Sequence, residues 1–146
     1  MKIFAARLFL AMTLVCGGVC WVPAHAEQVV HVGTYDVHYV VLGTTFLSAD
    51  VARQYGISRA KNIALINISV LRNGQAVAAK IQGQARDLLD RRVELPFREI
   101  KERTSVYYIA ALKFSEQEHW RFELRVIPAG ENEPFDVRFE QQIYVE

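Results

Sequence analysis

The chain has 146 residues with 17 Lys or Arg, 16 Asp or Glu and four His, which gives a formal net charge of +1. A chain of this length is typical of one domain. Its balanced charge argues against binding to nucleic acid or to an anionic membrane surface.

The first 26 residues have the pattern of a secretory signal peptide. Lys2 and Arg7 precede the apolar run LFLAMTLVCGGVCWV, and the segment ends in Ala24-His25-Ala26. The apolar run has about 15 residues, fewer than the ~20 that a membrane-spanning helix needs. A basic start, an apolar centre and an A-x-A end are typical of a cleaved leader. We therefore predict cleavage after Ala26 and export, with a retained N-terminal anchor as the alternative.

Removal of this leader leaves residues 27–146 as one predicted domain with no sulfur. Both Cys and both Met lie in the leader, and the loss of Lys2 and Arg7 changes the net charge from +1 to −1. A domain of this size buries enough surface to fold without a disulfide. The missing sulfur excludes thiol catalysis, thiolate zinc sites and Met-rich copper sites.

The first part of this domain predicts extended chain followed by one short helix. The segment QVVHVGTYDVHYVVLG is either one long strand kinked at Gly33 or a hairpin that turns at Gly33-Thr34. The segment SADVARQYGI predicts a helix with Ser48 as its N-cap and Gly56 as its C-terminal stop. With only about two turns, this helix depends on packing for its stability.

The segment NIALINISVLRNGQAVAAKIQGQ predicts a hairpin, because Asn73-Gly74 suits a two-residue turn with positive φ at both positions. The register set by this turn makes one face apolar, as a half-buried sheet requires. The predicted apolar pairs are Val70 with Val77, Ile68 with Ala79, and Ile66 with Ile81.

The last third of the chain contains four further strand patterns. RRVELPF ends near Pro96, which lacks an N–H donor and so predicts an edge strand. SVYYIAALKF is apolar on both faces and predicts a central strand. WRFELRVI and FDVRFEQQIYV alternate, and placing Val126 opposite Phe135 aligns apolar pairs on one face and opposite charges on the other. The apolar pairs then include Leu124 with Val137 and Phe122 with Phe139, and the charge pairs are Arg121 with Glu140, Glu123 with Arg138, and Arg125 with Asp136.

These patterns predict an all-β fold. About seven or eight short strands with one short helix are typical of an immunoglobulin-like two-layer β-sandwich. A small β-barrel is the alternative.

Asp36 and His38 are the first candidates for chemistry, because they share a face of a predicted strand about 7 Å apart. A carboxylate at this spacing can orient an imidazole for proton transfer or metal binding. No G-x-S-x-G motif and no Cys accompany them, and the chain has no H-E-x-x-H motif for zinc. We therefore predict no catalytic residue, no metal site and no cofactor, and we favour a structural role for the pair.

The predicted helix suggests a different kind of site. A helix between the strands of a sandwich either caps the core or shapes a cleft. Such a cleft would lie beside Asp36 and His38. The predicted ligand-binding residues are Asp36, His38, Thr45, Phe46, Arg53 and Tyr55.

The stretch GTYDVHYVVLGTTFLSADVARQYGISRAKNIALINISVL resembles the signature of a protein family. The matching elements are Gly-x-Tyr-x-Val-His-Tyr, then Thr-Phe-Leu, then Ala-x-x-Tyr-Gly-Ile, then Asn-Ile-Ser-Val. They are similar to those of small exported proteins of gammaproteobacteria that are classed as a domain of unknown function. The resemblance covers most of residues 27–146. It implies a signal peptide, a mature region of about this length and no assigned activity.

From these features we predict a periplasmic, non-enzymatic binding module whose partner is an envelope protein or peptide. Sandwiches expose edge strands, and strand addition is a common mode of recognition. The alternative is a small-ligand or metal-binding protein that uses the face with Asp36 and His38 together with the helix. A hydrolase with an unrecognised site is the third hypothesis. We predict no membrane insertion after signal cleavage.

Overall fold

The computed structural model of the protein describes residues 28–145. The predicted leader and its cleavage after Ala26 lie outside the described residues and remain predictions. Among residues 28–145, no helix is long and apolar enough to cross a membrane. The described elements are β1 (Gln28–Val32), β2 (Tyr35–Gly43), a 3-10 helix (Thr44–Phe46), α1 (Ala49–Gln54), β3 (Ile63–Arg72), β4 (Gln75–Ala76), β5 (Ala79–Asp87), β6 (Arg92–Leu95), β7 (Arg98–Glu102), β8 (Ser105–Lys113), β9 (Glu118–Pro128) and β10 (Phe135–Ile143).

The strands form two antiparallel sheets. The six-stranded sheet has the order β1-β2-β3-β8-β7, with β4 paired to β3, and the four-stranded sheet has the order β10-β9-β5-β6. The chain passes from one sheet to the other after β4, after β6 and after β8. This architecture confirms the predicted immunoglobulin-like two-layer sandwich with one short helix, and the barrel alternative is wrong.

The hydrophobic core lies between the two sheets. Ile66 and Ile68 of β3 and Trp120 and Phe122 of β9 are fully buried in one cluster. Phe122 also stacks on Phe139 of β10 with ring centroids 4.8 Å apart. Alternation in each strand therefore sends one set of side chains to this core and the other set to an outer face.

Tyr108 of β8 ties the two sheets together through its hydroxyl group. The hydroxyl accepts a hydrogen bond from the backbone N–H of Ala79 at 2.6 Å and donates one to Glu99 Oε2 at 3.1 Å. Burial raises the pKa of Tyr108 above 10.0. The hydroxyl therefore stays protonated and available as a donor at neutral pH.

The predicted register of β9 and β10 is confirmed throughout, for the apolar and the charged pairs alike. Arg121 Nε lies 3.1 Å from Glu140 Oε1, and Arg125 Nε lies 3.6 Å from Asp136 Oδ1. Glu123 lies opposite its predicted partner but accepts a hydrogen bond from Gln84 of β5 at 2.8 Å. The charges on the outer face and the apolar pairs on the inner face thus select the same alignment.

The turn at Asn73-Gly74 is also as predicted. The two residues have φ values of 51° and 75°, and Val77 N–H donates to Val70 O at 2.9 Å. Beyond that pair the predicted register is wrong. Ile68 lies opposite Tyr108 of β8.

The chain changes sheets just after this turn. Ala79 begins β5 and lies opposite Pro128 of β9, and Ile81 lies opposite Val126. The predicted hairpin register failed because a two-residue turn specifies only the residue pairs next to it. Farther from the turn, β3 forms a longer ladder with β8, and β5 forms a longer ladder with β9. Both partners bury the same apolar faces that the hairpin register would have buried.

The remaining strand predictions are confirmed, and one strand was missed. β6, which ends before Pro96, is an edge strand, and β8 lies between β3 and β7. β7 has the sequence REIKE and lies at a sheet edge; its mixed charges indicate an exposed edge, but no strand was assigned there.

Candidate ligand-binding site

The outer face of the six-stranded sheet carries the candidate site. On β2, Val37 points to the core and is fully buried, so Asp36, His38, Val40 and Leu42 lie on the outer face. The outer positions become apolar toward the end of β2, where the chain enters the 3-10 helix and α1. The helical segment therefore docks on an apolar part of this face.

Local sequence signals define α1. Ser48 Oγ accepts a hydrogen bond from Val51 N–H at 3.2 Å. Gly56 adopts φ 62°, and Ile57 N–H donates to Ala52 O at 2.7 Å. This 6→1 bond is the mark of a Schellman C-terminus, in which the residue after the glycine turns back toward the helix. The predicted N-cap and C-terminal stop are confirmed, and the C-terminal turn brings Ile57 to the sheet.

Two further contacts fasten the helical segment to the sandwich. Thr44 is fully buried, and its hydroxyl donates to Ala60 O at 3.1 Å and accepts from Ala60 N–H at 3.0 Å. Arg98 of β7 donates a hydrogen bond to the backbone oxygen of Tyr55. The segment is thus held at its start by a threonine and at its end by an arginine from the edge strand.

A cavity of about 220 Å³ lies between the helical segment and the sheet. Its helix side consists of Leu47, Val51, Tyr55 and Ile57. Its sheet side consists of Leu42, Leu65, Asn67, Ile100, Tyr107 and Ile109. For comparison, a dry apolar cavity of about 150 Å³ is enough to bind benzene.

Asn67 is the one primary amide in this lining. It occupies an outer position of β3, opposite Val40 on β2 and Ile109 on β8. Its Oδ1 atom is buried and has no hydrogen-bond partner among residues 28–145. A buried polar group left without a partner costs about 1–3 kcal/mol.

A larger groove adjoins the cavity. The groove has a volume of about 710 Å³ and shares Ile57, Leu65 and Ile109 with the cavity. Arg98 and Lys113 also line it. The shared residues offer a path by which a small molecule reaches the cavity from solvent.

Among the predicted residues of the helical segment, Tyr55 lines the cavity. The Thr45 backbone oxygen accepts a hydrogen bond from Arg59 at 3.0 Å. Phe46 is 64% exposed, and the exposed side chain of Arg53 pairs with Asp50 within α1. The other residues of the lining, which are aliphatic apart from Asn67 and Tyr107, are absent from the predicted set.

Asp36 and His38 lie farther along the same outer face. The structure shows the hairpin alternative for β1 and β2, and its turn places His31 opposite Asp36. His31 Nδ1 lies 2.6 Å from Asp36 Oδ1 on the exposed surface. His38 lies opposite Ser69, two residues from Asn67 on β3. The nearest imidazole partner of Asp36 is thus in β1, and His38 is nearer to the cavity than Asp36 is.

A metal site is not evident in this part of the chain. Among residues 28–145, no group of three or more His, Cys, Asp or Glu side chains is arranged to hold a metal ion. The His31–Asp36 pair supplies two such groups on a hairpin.

Sequence reasoning missed Asn67 as a site residue, although β3 carries a signal. Its outer positions are Ile63, Leu65, Asn67, Ser69 and Leu71, so three of the five are apolar although the opposite face already forms the core. An antiparallel strand with two apolar faces needs a cover on its outer side. Asn67 is the one amide on this face of β3, and its place in the apolar pattern is the signal that the sequence offers.

The fold and the cavity define a two-sheet β-sandwich with one helix docked on an outer face. The chain belongs to the DUF4426 family, a domain of unknown function whose model matches residues 29–146. Membership confirms the family that the motif pattern resembled.

Solved structures show the same fold. A DUF4426 family protein from Pseudomonas aeruginosa, PA0388, is 32% identical, with 82% of this chain and 96% of that chain covered and a TM-score of 0.75. FetP of uropathogenic Escherichia coli, recombinantly expressed in the periplasm, is 12% identical, with coverage of 81% and 93% and a TM-score of 0.61. A copper-bound FetP variant is 15% identical, with coverage of 82% and 95% and a TM-score of 0.61. At these identities FetP shares the fold alone, and among curated proteins none matches the chain.

Proposed function

We propose that this protein is an exported, non-enzymatic binding protein that holds a small apolar ligand between α1 and the outer face of the six-stranded sheet. The observation that carries the proposal is the cavity of about 220 Å³ with its almost wholly aliphatic and aromatic lining. The sandwich already has a complete core between its sheets. The cavity is therefore a second apolar site that folding of the core does not require.

The energetic cost of such a space supports a functional role. The cavity is partly open to solvent, and the apolar side chains that line it lack packing partners on its open side. Larger side chains at Leu47 or Val51 would reduce this cost. A ligand that fills the space recovers the lost contacts when it binds.

Recognition of a peptide by strand addition has less support at the edges formed by β6 and β7. β6 ends before Pro96, and four of the five residues of β7 are charged. Both features protect an edge against strand addition. Binding of a partner protein by strand addition remains a prediction, and it concerns the other two edge strands, β1 and β10.

A role like that suggested by copper-bound FetP also has less support. The described residues form two His–carboxylate pairs, His31–Asp36 and His119–Glu140, and neither belongs to a group of three possible ligands. Residues 27–146 contain no Cys or Met. Metal analysis of the purified protein and of His38→Ala tests this alternative. Stoichiometric copper that is lost in the variant would favour it over the cavity.

Export rests on the leader pattern, on the exported family that the motifs resemble, and on the production of FetP in the periplasm. Mass spectrometry of protein from a periplasmic extract tests it. We expect a mature chain that begins at Glu27. Full-length protein in the membrane fraction would instead favour the retained anchor.

Titration with small apolar probes, followed by amide NMR, tests the ligand site. Indole has about nine heavy atoms, and at roughly 0.5 kcal/mol per atom it should bind with a Kd of about 0.5 mM. We expect the shifts to cluster in residues 42–57, 65–67 and 100–109. Scattered shifts, or none at saturating indole, would exclude the cavity as the site.

Two matched variants separate the cavity from the rest of the surface. Val51 lines the cavity and is 39% exposed, whereas Val145 follows β10 and is 41% exposed. Val51→Phe should fill the cavity and weaken indole at least fivefold, and Val145→Phe should leave Kd unchanged. Equal binding by both variants would contradict the proposal.

A further inference from the structure

We infer that the ligand is a neutral molecule with one hydrogen-bond donor, and that Asn67 is the residue that receives this donor. The inference rests on the proposed function and names the class of ligand that the same cavity takes. Its basis is the contrast between a wall of apolar side chains and one amide oxygen that no described residue satisfies.

The first property of the ligand that the cavity determines is its charge. None of the residues that line it is Lys, Arg, His, Asp or Glu. An ion that entered would lose its hydration without gaining a countercharge, which is costly in an apolar site. Two cations, Arg98 and Lys113, line the adjoining groove instead. The ligand that the cavity selects is therefore uncharged.

Size is the second property. At about 220 Å³, the cavity exceeds the roughly 150 Å³ that accommodates benzene. A bicyclic ring or a short branched chain fits this range. Larger molecules would have to extend into the groove along Ile57 and Ile109.

The hydrogen bond is the third property. Asn67 Oδ1 is buried and has no partner among residues 28–145. The terminal torsion of an Asn side chain is broad, so the amide turns easily to aim its oxygen at a ligand. A buried acceptor discriminates strongly between molecules that carry a donor and isosteres that lack one, because the isostere leaves the acceptor unpaired.

Tyr55 and Tyr107 bring the only hydroxyl groups in the lining. Both are long side chains whose polar ends can reach solvent while their rings pack on apolar neighbours. Asn67 lies on β3 inside the six-stranded sheet, and its Oδ1 atom is buried. This oxygen is therefore the polar atom of the lining that gains most from a hydrogen bond to a ligand.

Indole and indene form a matched pair of probes, because indene replaces the N–H of indole by a CH₂ group. Isothermal titration or NMR should show that the protein binds indole about five- to tenfold more tightly than indene. Asn67→Leu should bind both probes with similar affinity, because Leu keeps the branched shape and removes the acceptor. In the unsubstituted protein, the side-chain NH₂ resonances of Asn67 should shift with indole and much less with indene, which tests the contact without a variant.

The possible results separate the inference from the proposed function. Equal affinity of the unsubstituted protein for both probes would overturn the role of Asn67 and leave the apolar cavity intact. A preference for indole that survives in Asn67→Leu would assign the contact to Tyr55 or Tyr107, and the inference would fail. Binding of neither probe would overturn both.

Discussion

Asn67→Leu should stabilise the unliganded protein, even though it removes the proposed ligand contact. The amide oxygen is buried without a partner among residues 28–145, and such a group costs about 1–3 kcal/mol. Leu has the same branching, and its two methyl groups would lie in a cavity lined by Leu65, Ile109 and other apolar residues. We therefore expect the free energy of unfolding to rise by at least about 1 kcal/mol.

Equilibrium unfolding in urea measures this gain. With a slope of about 1.5 kcal/mol per molar urea, a gain of 1 kcal/mol raises the midpoint by about 0.7 M. Trp120 is fully buried and reports unfolding by fluorescence, and far-ultraviolet circular dichroism provides a second probe. The slope itself should not change, because both proteins expose nearly the same surface on unfolding.

Asn62→Leu is the matched control, because Asn62 is exposed in the turn before β3. A substitution at such a position should change stability by no more than about 0.5 kcal/mol. An Asn67→Leu protein that is equally stable or less stable than the original would refute the reasoning, since it would mean that the amide is well solvated. A similar gain in Asn62→Leu would show that the effect is one of composition and not of burial.

Three further substitutions test the sandwich itself. Gly83→Ala should destabilise the protein by about 1–3 kcal/mol in the same urea assay, because an added Cβ would lie 2.5 Å from the nearest side-chain atom; an unchanged midpoint would contradict this packing. Tyr108→Phe should cost about 1–3 kcal/mol, because it leaves the Ala79 N–H without its 2.6 Å acceptor, and a neutral result would show that the tie between the sheets is dispensable. The hydrogen bond from His119 holds the pKa of Glu140 below 4.5, so this carboxylate adds stability above that pH and loses it as the pH falls through the lowered pKa. The difference in unfolding free energy between the protein and Glu140→Gln should therefore shrink below pH 4.5, and a difference that is constant from pH 7 to pH 3 would refute the ion pair.

Several features of this protein follow from local sequence patterns. The register of β9 and β10 is readable because alternation has a period of two, and because the apolar and charged faces agree on one alignment. The ends of α1 are readable because Ser48 and Gly56 carry the chemistry of a cap and a stop. In each case the deciding interaction joins residues that are near in sequence or that repeat in a simple pattern.

The sheet change after β4 is different in kind. The turn at Asn73-Gly74 predicted a continuous hairpin, and the turn is present. Whether β5 continues beside β3 or crosses to β9 depends on which strand offers the longer ladder in the assembled sandwich. That outcome depends on contacts between residues far apart in sequence. The alternation of apolar and polar residues in β5 is the same for both arrangements, so it does not distinguish them.

The candidate site shows the same division. The sequence alone indicated a sulfur-free all-β domain, a short helix after β2, and Tyr55 within a cleft. Only the tertiary structure brought Leu65, Asn67 and Ile109 under that helix and left a partly open cavity of about 220 Å³ between them. The alternation of residues along a strand indicates on which face each side chain lies. What covers that face depends on where a distant segment of the chain docks.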